Sequence, residues 1–191
     1  LGITDDEYKN VGATLCDSAK EALGKSQIIL KVNSPSNDEV NFIKDNSILI
    51  GQFDPLSDKE VLNKLVKKNI NIFSLNLLPR ITRAQTMDIL SSQANLAGYR
   101  AVIESVEEFD KAIPMMMTAA GTITPAKVLV IGAGVAGLQA IATAKRLGAV
   151  VSATDVRTVA KEQVESLGAK FLSVEGTENL ETSEGYAKET G

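Results

Sequence analysis

The feature that most constrains this fold is a glycine pattern that follows a short apolar run. The run KVLVI, typical of a buried strand, leads into Gly132-Ala-Gly134-Val-Ala-Gly137, and the alanine- and leucine-rich stretch after it has the composition of a helix. Strand, G-x-G-x-x-G and helix in this order form the turn that holds the pyrophosphate of a dinucleotide in Rossmann folds. The pattern therefore predicts a nucleotide-binding α/β domain.

Each glycine of this turn has its own mechanical reason. Gly132 permits a tight turn, Gly134 lets the backbone approach a pyrophosphate, and Gly137 lets the helix pack on the strand. The phosphates would face the helix N-terminus, where free N–H groups and the helix dipole favour anions. The residues expected at the pyrophosphate are Gly132, Gly134, Ala136 and Gly137.

An acidic residue ends the next predicted strand, AVVSATD. Asp155 lies close to the ~20-residue offset at which such a carboxylate accepts hydrogen bonds from the adenosine ribose. It would also repel a 2′-phosphate, which favours NAD(H) over NADP(H). Arg157 leaves an alternative open, because an arginine there could pair with a 2′-phosphate or cover the adenine edge.

Strand-like and helix-like segments alternate along the first half of the chain. Strand-like runs lie at 26–33, 46–53 and 69–76, and helix-like segments lie at 37–44 and 58–69. This alternation predicts βαβ units and a parallel sheet. Capping boxes are expected at Thr4-x-x-Glu7 and Ser57-x-x-Glu60.

A long helix is expected from Arg83 to Lys111, followed by a linker at 115–126, where methionine, threonine and glycine accumulate. A row of small residues should let another backbone approach one side of this helix: Ala84, Ser91, Ala94, Ala97 and Ala101.

The fold class predicted is α/β. We expect two parallel-sheet, Rossmann- or flavodoxin-like domains with a cleft between them, at 1–113 and 114–191. The chain begins without methionine and ends in a glutamate-rich stretch, so both domains are expected to be truncated.

Composition excludes several classes of function. A formal charge of −4 and a pI near 5.0 argue against nucleic acid as a partner, because phosphate binding needs clustered lysine and arginine. One cysteine and no histidine argue against a disulfide framework and against zinc or non-haem iron. No apolar run approaches the ~20 residues of a membrane span, so a soluble domain is expected.

The stretch LNLLPRITRAQTMDILSSQ concentrates polar side chains at the start of the long helix. A functional interpretation is that they position a ligand. A structural one is that Thr82-x-x-Gln85 is a capping box and that Arg80 pairs with Asp88 near a helix N-terminus. The residues alone leave both open.

Three segments resemble one known family: PRITRAQTMDILSSQANLAGYRAV, MMMTAAGTITPAKVLVIGAGVAGLQAIATAKRLGAVVSATDVR and KEQVESLGAKF. They are similar to the NAD(H)-binding domain I of proton-translocating nicotinamide nucleotide transhydrogenase. The resemblance implies that the nicotinamide and its ribose are held by Arg80, Gln85, Asp88 and Ser91. It also implies that Val135 and the triplet Asp155, Val156 and Arg157 contact the pyrophosphate and adenosine half.

The same resemblance implies an activity and partners. The chain would be the NAD(H)-binding part of an NAD(P)+ transhydrogenase (Si-specific, proton-translocating), which passes a hydride between NAD(H) and NADP(H) on a partner domain. Gln85 would also touch that NADP(H)-binding domain. A homodimer is expected, as is a place on the cytoplasmic or matrix side of an inner-membrane complex whose membrane domain is a further partner.

The missing histidine fits this reaction, since direct hydride transfer between two nicotinamides moves no proton and needs no general base. Alanine dehydrogenase, a similar family, relies on a lysine and a histidine. Lys31 matches that lysine, whereas Asp54 stands roughly where the histidine would be. An alanine dehydrogenase-like enzyme and a non-catalytic nucleotide-sensing module are the alternatives.

Overall fold

Parallel β–α–β units build both halves of the chain, as the alternating patterns predict. The computed structural model describes residues 2–79 and 81–173, and the chain divides into two compact units, 1–88 and 89–191. Each unit contains a three-stranded parallel sheet. The predicted α/β class with two parallel sheets is confirmed, and the cleft between the domains stays a prediction.

Four α-helices and three strands are the main elements of the described part of the first unit. They are α1 (Asp5–Asn10), α2 (Ala19–Lys25), β1 (Ile28–Lys31), α3 (Asn37–Phe42), β2 (Ile48–Gly51), α4 (Lys59–Lys67) and β3 (Asn71–Ser74). The strands pair in the order β1-β2-β3, which places Ile29, Leu49 and Ile72 side by side. These residues pack in one apolar core with Val40 of α3 and Leu65 of α4.

Of the capping boxes expected at Thr4-x-x-Glu7 and Ser57-x-x-Glu60, the first forms and the second does not. Thr4 and Glu7 cap each other's backbone at the start of α1. At α4, however, the cap position is Asp58, and the Ser57 hydroxyl donates to the carboxylate of Asp54 at 2.9 Å. The predicted box at Ser57 is therefore wrong, because a turn before the helix already uses the hydroxyl.

The second unit begins with the long helix and ends in the Rossmann-like sheet. Its elements are α5 (Ile89–Glu107), β4 (Met116–Thr118), β5 (Gly121–Ile123), β6 (Lys127–Ile131), α6 (Val135–Arg146), β7 (Val150–Thr154), α7 (Ala160–Ser166) and β8 (Lys170–Phe171). The parallel strands lie in the order β6-β7-β8. Ile141, Val151, Ala153 and Val164 are central to a core that is otherwise rich in alanine.

Two features of the connection differ from the prediction. Thr82–Met87 form a 3₁₀ turn, and the backbone of Asp88 after it is extended. Helix α5 then runs only from Ile89 to Glu107, so the prediction of a single helix over 83–111 is wrong. The supposed linker at 115–126 contains an antiparallel hairpin, β4 with β5, in which Met116 lies opposite Ile123. A turn of small residues joins the two strands, which is why composition suggested a linker.

By its packing, α5 belongs to the second unit. Its buried residues are Gly98 and Val102, and Val102 lies in the same core as Ile141. The compact units therefore divide after Asp88, whereas the sequence assigned this helix to the first domain. The domain limits 1–113 and 114–191 stay a prediction.

Candidate nucleotide-binding site

The glycine turn of the second unit has the geometry that the sequence predicts. Strand β6 ends at Ile131, and Gly132 follows with a φ of +91°, in the left-handed region that favours glycine. Its N–H donates to the carbonyl oxygen of Thr154 at 2.8 Å, which ties the turn to the end of β7. Helix α6 begins three residues later, at Val135.

Gly134 and Gly137 differ in what surrounds them. A Cβ at Gly137 would overlap the carbonyl oxygen of Gly132, so only glycine lets the helix lie this close to the turn. A Cβ at Gly134 would meet nothing within 4 Å, and the backbone there, with a φ of −75°, suits any residue. Crowding within the described chain thus explains Gly137 but not Gly134.

The N-terminus of α6 fits a pyrophosphate. Gly134 is its cap residue and provides no side-chain cap, and a Cβ there would take up the open space in front of the turn. Uncapped N–H groups at the positive end of a helix bind anions. Val135, the first helical residue, is 39% exposed and borders the same space, and Ala136 follows it.

Asp155, directly after β7, holds the glycine turn in place by a hydrogen bond. Its side chain is only 6% exposed, and its Oδ2 accepts a hydrogen bond from the N–H of Ala133 at 2.6 Å. Its Oδ1 accepts a hydrogen bond from the N–H of Arg157 at 2.8 Å. The carboxylate therefore fixes both the turn that follows β6 and the backbone that follows β7.

The Arg157 guanidinium also binds this carboxylate. Its Nε donates to Oδ1 of Asp155 at 2.9 Å and its Nη2 donates to Oδ2 at 3.0 Å. With the two backbone donors, each oxygen of Asp155 receives two hydrogen bonds, which is the full capacity of a carboxylate. A ribose hydroxyl could then bind Asp155 only if the Arg157 guanidinium gave up one of its two hydrogen bonds to the carboxylate.

The electrostatics of the pair keep Asp155 ionised. Burial acts to raise its pKa, but hydrogen bonds from the Arg157 side chain and from the N–H groups of Arg157 and Ala133 outweigh that effect and lower the pKa to about 2. Val156, between the two charged residues, is 40% exposed. The roles of Asp155, Val156 and Arg157 toward adenosine stay predictions.

The predicted nicotinamide-side residues lie around the start of α5. Gln85 is exposed in the 3₁₀ turn, Asp88 precedes α5, and Ser91 is in its first turn; the latter two are partly buried. Arg80 lies outside the described residues. The N–H of Asp88 donates to the carbonyl oxygen of Gln85 at 3.2 Å, so these two positions are adjacent.

The structural interpretation of Gln85 as a helix cap fails. The 3₁₀ turn that contains it has Ile81 at its cap position and no side-chain capping bond, so the box expected at Thr82 and Gln85 does not form. Gln85 and Asp88 belong to the first unit and Ser91 to the second. Their joint role at a nicotinamide stays a prediction.

Lys31 and Asp54, the positions compared with alanine dehydrogenase, have structural partners. The Lys31 ammonium lies 3.3 Å from Oε1 of Glu39, and the other oxygen, Oε2, accepts a hydrogen bond from the Ser36 N–H at the start of α3. Asp54 accepts hydrogen bonds from the Leu56 N–H and the Ser57 hydroxyl, which lower its pKa. Both side chains therefore stabilise local structure.

Metal and membrane features are absent from the described part of the chain. Residues 2–79 and 81–173 contain no cluster of three or more histidine, cysteine, aspartate or glutamate side chains that could hold a metal ion. Within the same ranges, no helix combines the length and apolar character that crossing a bilayer requires.

Known protein families match nearly the whole chain. Residues 1–97 match the family "Alanine dehydrogenase/PNT, N-terminal domain", and residues 101–190 match "Alanine dehydrogenase/PNT, C-terminal domain". A curated relative, the first polypeptide of the NAD(P) transhydrogenase alpha subunit of Rhodospirillum rubrum, is 55% identical over 99% of this chain and 51% of its own length. An alanine dehydrogenase of Methanococcus maripaludis is 25% identical over 82% of this chain and 42% of its own length.

Solved structures similar to this chain include the same two kinds of protein, a transhydrogenase and an alanine dehydrogenase. The transhydrogenase from Sinorhizobium meliloti superposes with a TM-score of 0.85 at 54% identity, over 90% of this chain and 51% of that one. An L-alanine dehydrogenase superposes with a TM-score of 0.73 at 20% identity, over 89% and 48% of the two chains, which shows a shared fold. The chain spans between a third and about half of the length of the curated transhydrogenase relatives that it matches.

Proposed function

The chain belongs to the alanine dehydrogenase/PNT family, and on this premise we propose that it is the NAD(H)-binding part of a proton-translocating transhydrogenase. It would pass a hydride between NAD(H) and NADP(H) held on a partner domain. The observation that carries the proposal is the contrast in identity, 55% to a transhydrogenase alpha subunit against 25% to an alanine dehydrogenase. The uncapped N-terminus of α6 supports the proposal, because free N–H groups at a helix N-terminus favour phosphate.

In the proposed site, the pyrophosphate lies on the first turn of α6. The N–H groups of Val135, Ala136 and Gly137 point toward it, and the missing side chain at Gly134 leaves it room. Asp155 keeps the turn in place through the Ala133 N–H. Affinity for the nucleotide therefore depends mainly on this turn and on the contacts at the adenosine.

The proposed preference for NAD(H) over NADP(H) rests on the negative charge of Asp155, which Arg157 reduces. A pKa of about 2 keeps the carboxylate negative at neutral pH, which disfavours a 2′-phosphate. Arg157 partly compensates that charge through its two side-chain hydrogen bonds. The pair would therefore prefer NAD(H) less strongly than an unpaired aspartate would.

At the other end, Arg80, Gln85, Asp88 and Ser91 would orient the nicotinamide and its ribose. The bound nicotinamide itself supplies the hydride. Since no proton moves in that step, these side chains have only to hold the ring at about 3–3.5 Å from its acceptor and to exclude water. The chain has no histidine among its 191 residues, which suits this task and not the oxidation of an amino acid.

The proposed assembly completes the enzyme. An NADP(H)-binding domain would dock next to Gln85, a membrane domain would couple transfer to proton movement, and a second copy of the NAD(H)-binding domain would form a homodimer. The complex would lie at an inner membrane, with this domain on the cytoplasmic or matrix side. The enzyme would be of the Si-specific class.

Reconstitution tests this proposal directly. The full-length NAD(H)-binding protein should be mixed with the isolated NADP(H)-binding domain, and reduction of an NADP+ analogue by NADH followed optically. We expect multiple turnovers and no NADH formation from NAD+ and L-alanine. Alanine-dependent NADH formation would establish the amino-acid dehydrogenase instead, and nucleotide binding without either reaction would indicate a sensing module.

A further inference from the structure

Helix α5 contains a glycine where a helix ordinarily avoids one. Gly98 lies in the middle of the helix and is buried. A glycine inside a helix weakens it relative to alanine, so it needs a packing reason. That reason is a close approach to α6, which we call the nucleotide helix because its first turn is the proposed pyrophosphate site.

The backbone of Ala136 fills the space where a Cβ of residue 98 would be. Such an atom would lie 2.8 Å from the carbonyl carbon of Ala136 and 3.0 Å from its Cα, and it would overlap the carbonyl oxygen. All three are backbone atoms, so no side-chain rotation can relieve the contact. Glycine is therefore the residue that fits at this crossing of α5 and α6.

This crossing lies at the expected pyrophosphate site. Ala136 is in the first turn of α6, whose other side is held by Gly137 against the carbonyl oxygen of Gly132. Two close contacts that both require glycine thus hold the first turn of α6, one to α5 and one to Gly132 in the glycine turn. Because Gly137 also anchors this turn to Gly132, we expect a group added at residue 98 to displace α5 and to leave the pyrophosphate site in place.

The same helix leads to the opposite end of the proposed cofactor site. Ser91 lies seven residues before Gly98, about 10 Å along the helix axis. Val102, one turn beyond Gly98, is buried in the core with Ile141 of α6. Gly98 and Val102 therefore fix α5 as one rigid piece with the nucleotide helix.

We propose that Gly98 is a positioning residue that sets the spacing between Ser91 at the nicotinamide end and the first turn of α6 at the pyrophosphate. The inference rests on the proposed function for the roles of these two ends. A methyl group at residue 98 would have to move from 2.8 Å to about 3.5–4.0 Å from the carbonyl carbon of Ala136, and it would also have to clear the carbonyl oxygen, so α5 would shift by at least about 1 Å. A displacement of this size in a reacting pair can slow transfer by ~100-fold.

Gly98→Ala in the full-length protein tests the inference through two binding constants and one rate. ADP-ribose probes the adenosine and pyrophosphate contacts without the nicotinamide, and NADH probes both ends. We expect the Kd of ADP-ribose to change less than threefold, whereas single-turnover hydride transfer to the NADP(H)-binding domain falls by about 100-fold. A crystal structure of the variant should show the start of α5 displaced from Gly134 by about 1 Å.

Ala97→Gly is the matched control. Residue 97 is exposed on the same helix, so this change introduces the intrinsic weakness of glycine without touching α6. It should lower the thermal stability and leave transfer within twofold. Gly98→Ala has the opposite intrinsic effect on the helix, so a loss of transfer there cannot come from helix propensity.

The outcomes separate this inference from the proposed function. If the wild-type protein transfers no hydride, the proposed function is refuted. The crystal structure of Gly98→Ala would still show whether Gly98 sets the distance between α5 and α6. Transfer by Gly98→Ala within threefold of wild type, or a parallel loss of ADP-ribose binding in folded protein, would overturn the positioning role. If Gly98→Ala does not fold, Val102→Ala loosens the same helix, and it should reduce transfer more than ADP-ribose affinity.

Discussion

Asp155→Asn should destabilise the second unit in a strongly pH-dependent way. The carboxylate receives four hydrogen bonds, two on each oxygen, from Ala133 and Arg157. Asparagine keeps one acceptor oxygen, and its NH₂ group would face two of these donors. The substitution therefore removes the charge and leaves donors unpaired in a site where the side chain is 6% exposed.

The size of the effect follows from the pKa. A shift from 3.8 to about 2 corresponds to about 2 kcal/mol of stability at neutral pH. Because the folded-state pKa is lowered, this stability is present above the unfolded-state value near 4 and is lost as the pH falls from there toward 2. For a unit of about 100 residues, such as 89–191, about 2 kcal/mol lowers the melting temperature by roughly 8–16 °C.

Thermal unfolding of the full-length protein and the variant, from pH 7 down to pH 2, measures this. The difference in melting temperature should be largest at pH 7 and should shrink between pH 4 and pH 2. Asp54→Asn is the control, because the exposed Asp54 serves a local turn that asparagine can also form, and it should give a much smaller difference. A difference for Asp155→Asn that is absent at pH 7, or that stays constant down to pH 2, would refute the reasoning.

Four further substitutions act on ligand binding and transfer. Gly134→Val should weaken NADH binding at least 100-fold without lowering the melting temperature, because the side chain enters the space left for the pyrophosphate; calorimetry showing unchanged affinity would contradict this. Gln85→Ala and Asp88→Ala should slow single-turnover hydride transfer far more than they weaken NADH binding, and equal losses in both would argue against a positioning role. Arg157→Gln should leave the charge of Asp155 uncompensated and lower NADPH affinity at least tenfold more than NADH affinity; a gain in NADPH binding would reverse this account.

The glycine turn could be predicted from the sequence because its causes are local. Gly132 needs its positive φ and Gly137 its close contact for reasons contained within one strand–turn–helix segment. The carboxylate at Asp155 was also predictable by its offset along the chain. The pairing of the Arg157 guanidinium with that carboxylate could not be predicted, since the hydrogen bonds depend on a side-chain conformation that sequence spacing does not fix.

The long helix shows where prediction fails. Ala97 and Ala101, expected in the row that packs, are exposed, and the packed row continues instead through Gly98 and Val102. The end of α5 and the side it buries are set by contact with α6, which is a tertiary feature. A mid-helix glycine was the one sequence signal that could have revealed this contact.

The most direct test of the account is the fate of the hydrogen on the nicotinamide. NADH deuterated at the transferred C4 position should be mixed with the full-length protein, the NADP(H)-binding domain and NADP+ in ordinary water, and the NADPH formed should be analysed by mass spectrometry. Direct transfer without a general base predicts that every NADPH molecule carries deuterium and that the single-turnover rate varies little with pH. NADPH with hydrogen from the solvent, or a bell-shaped pH profile centred near neutrality, would contradict it.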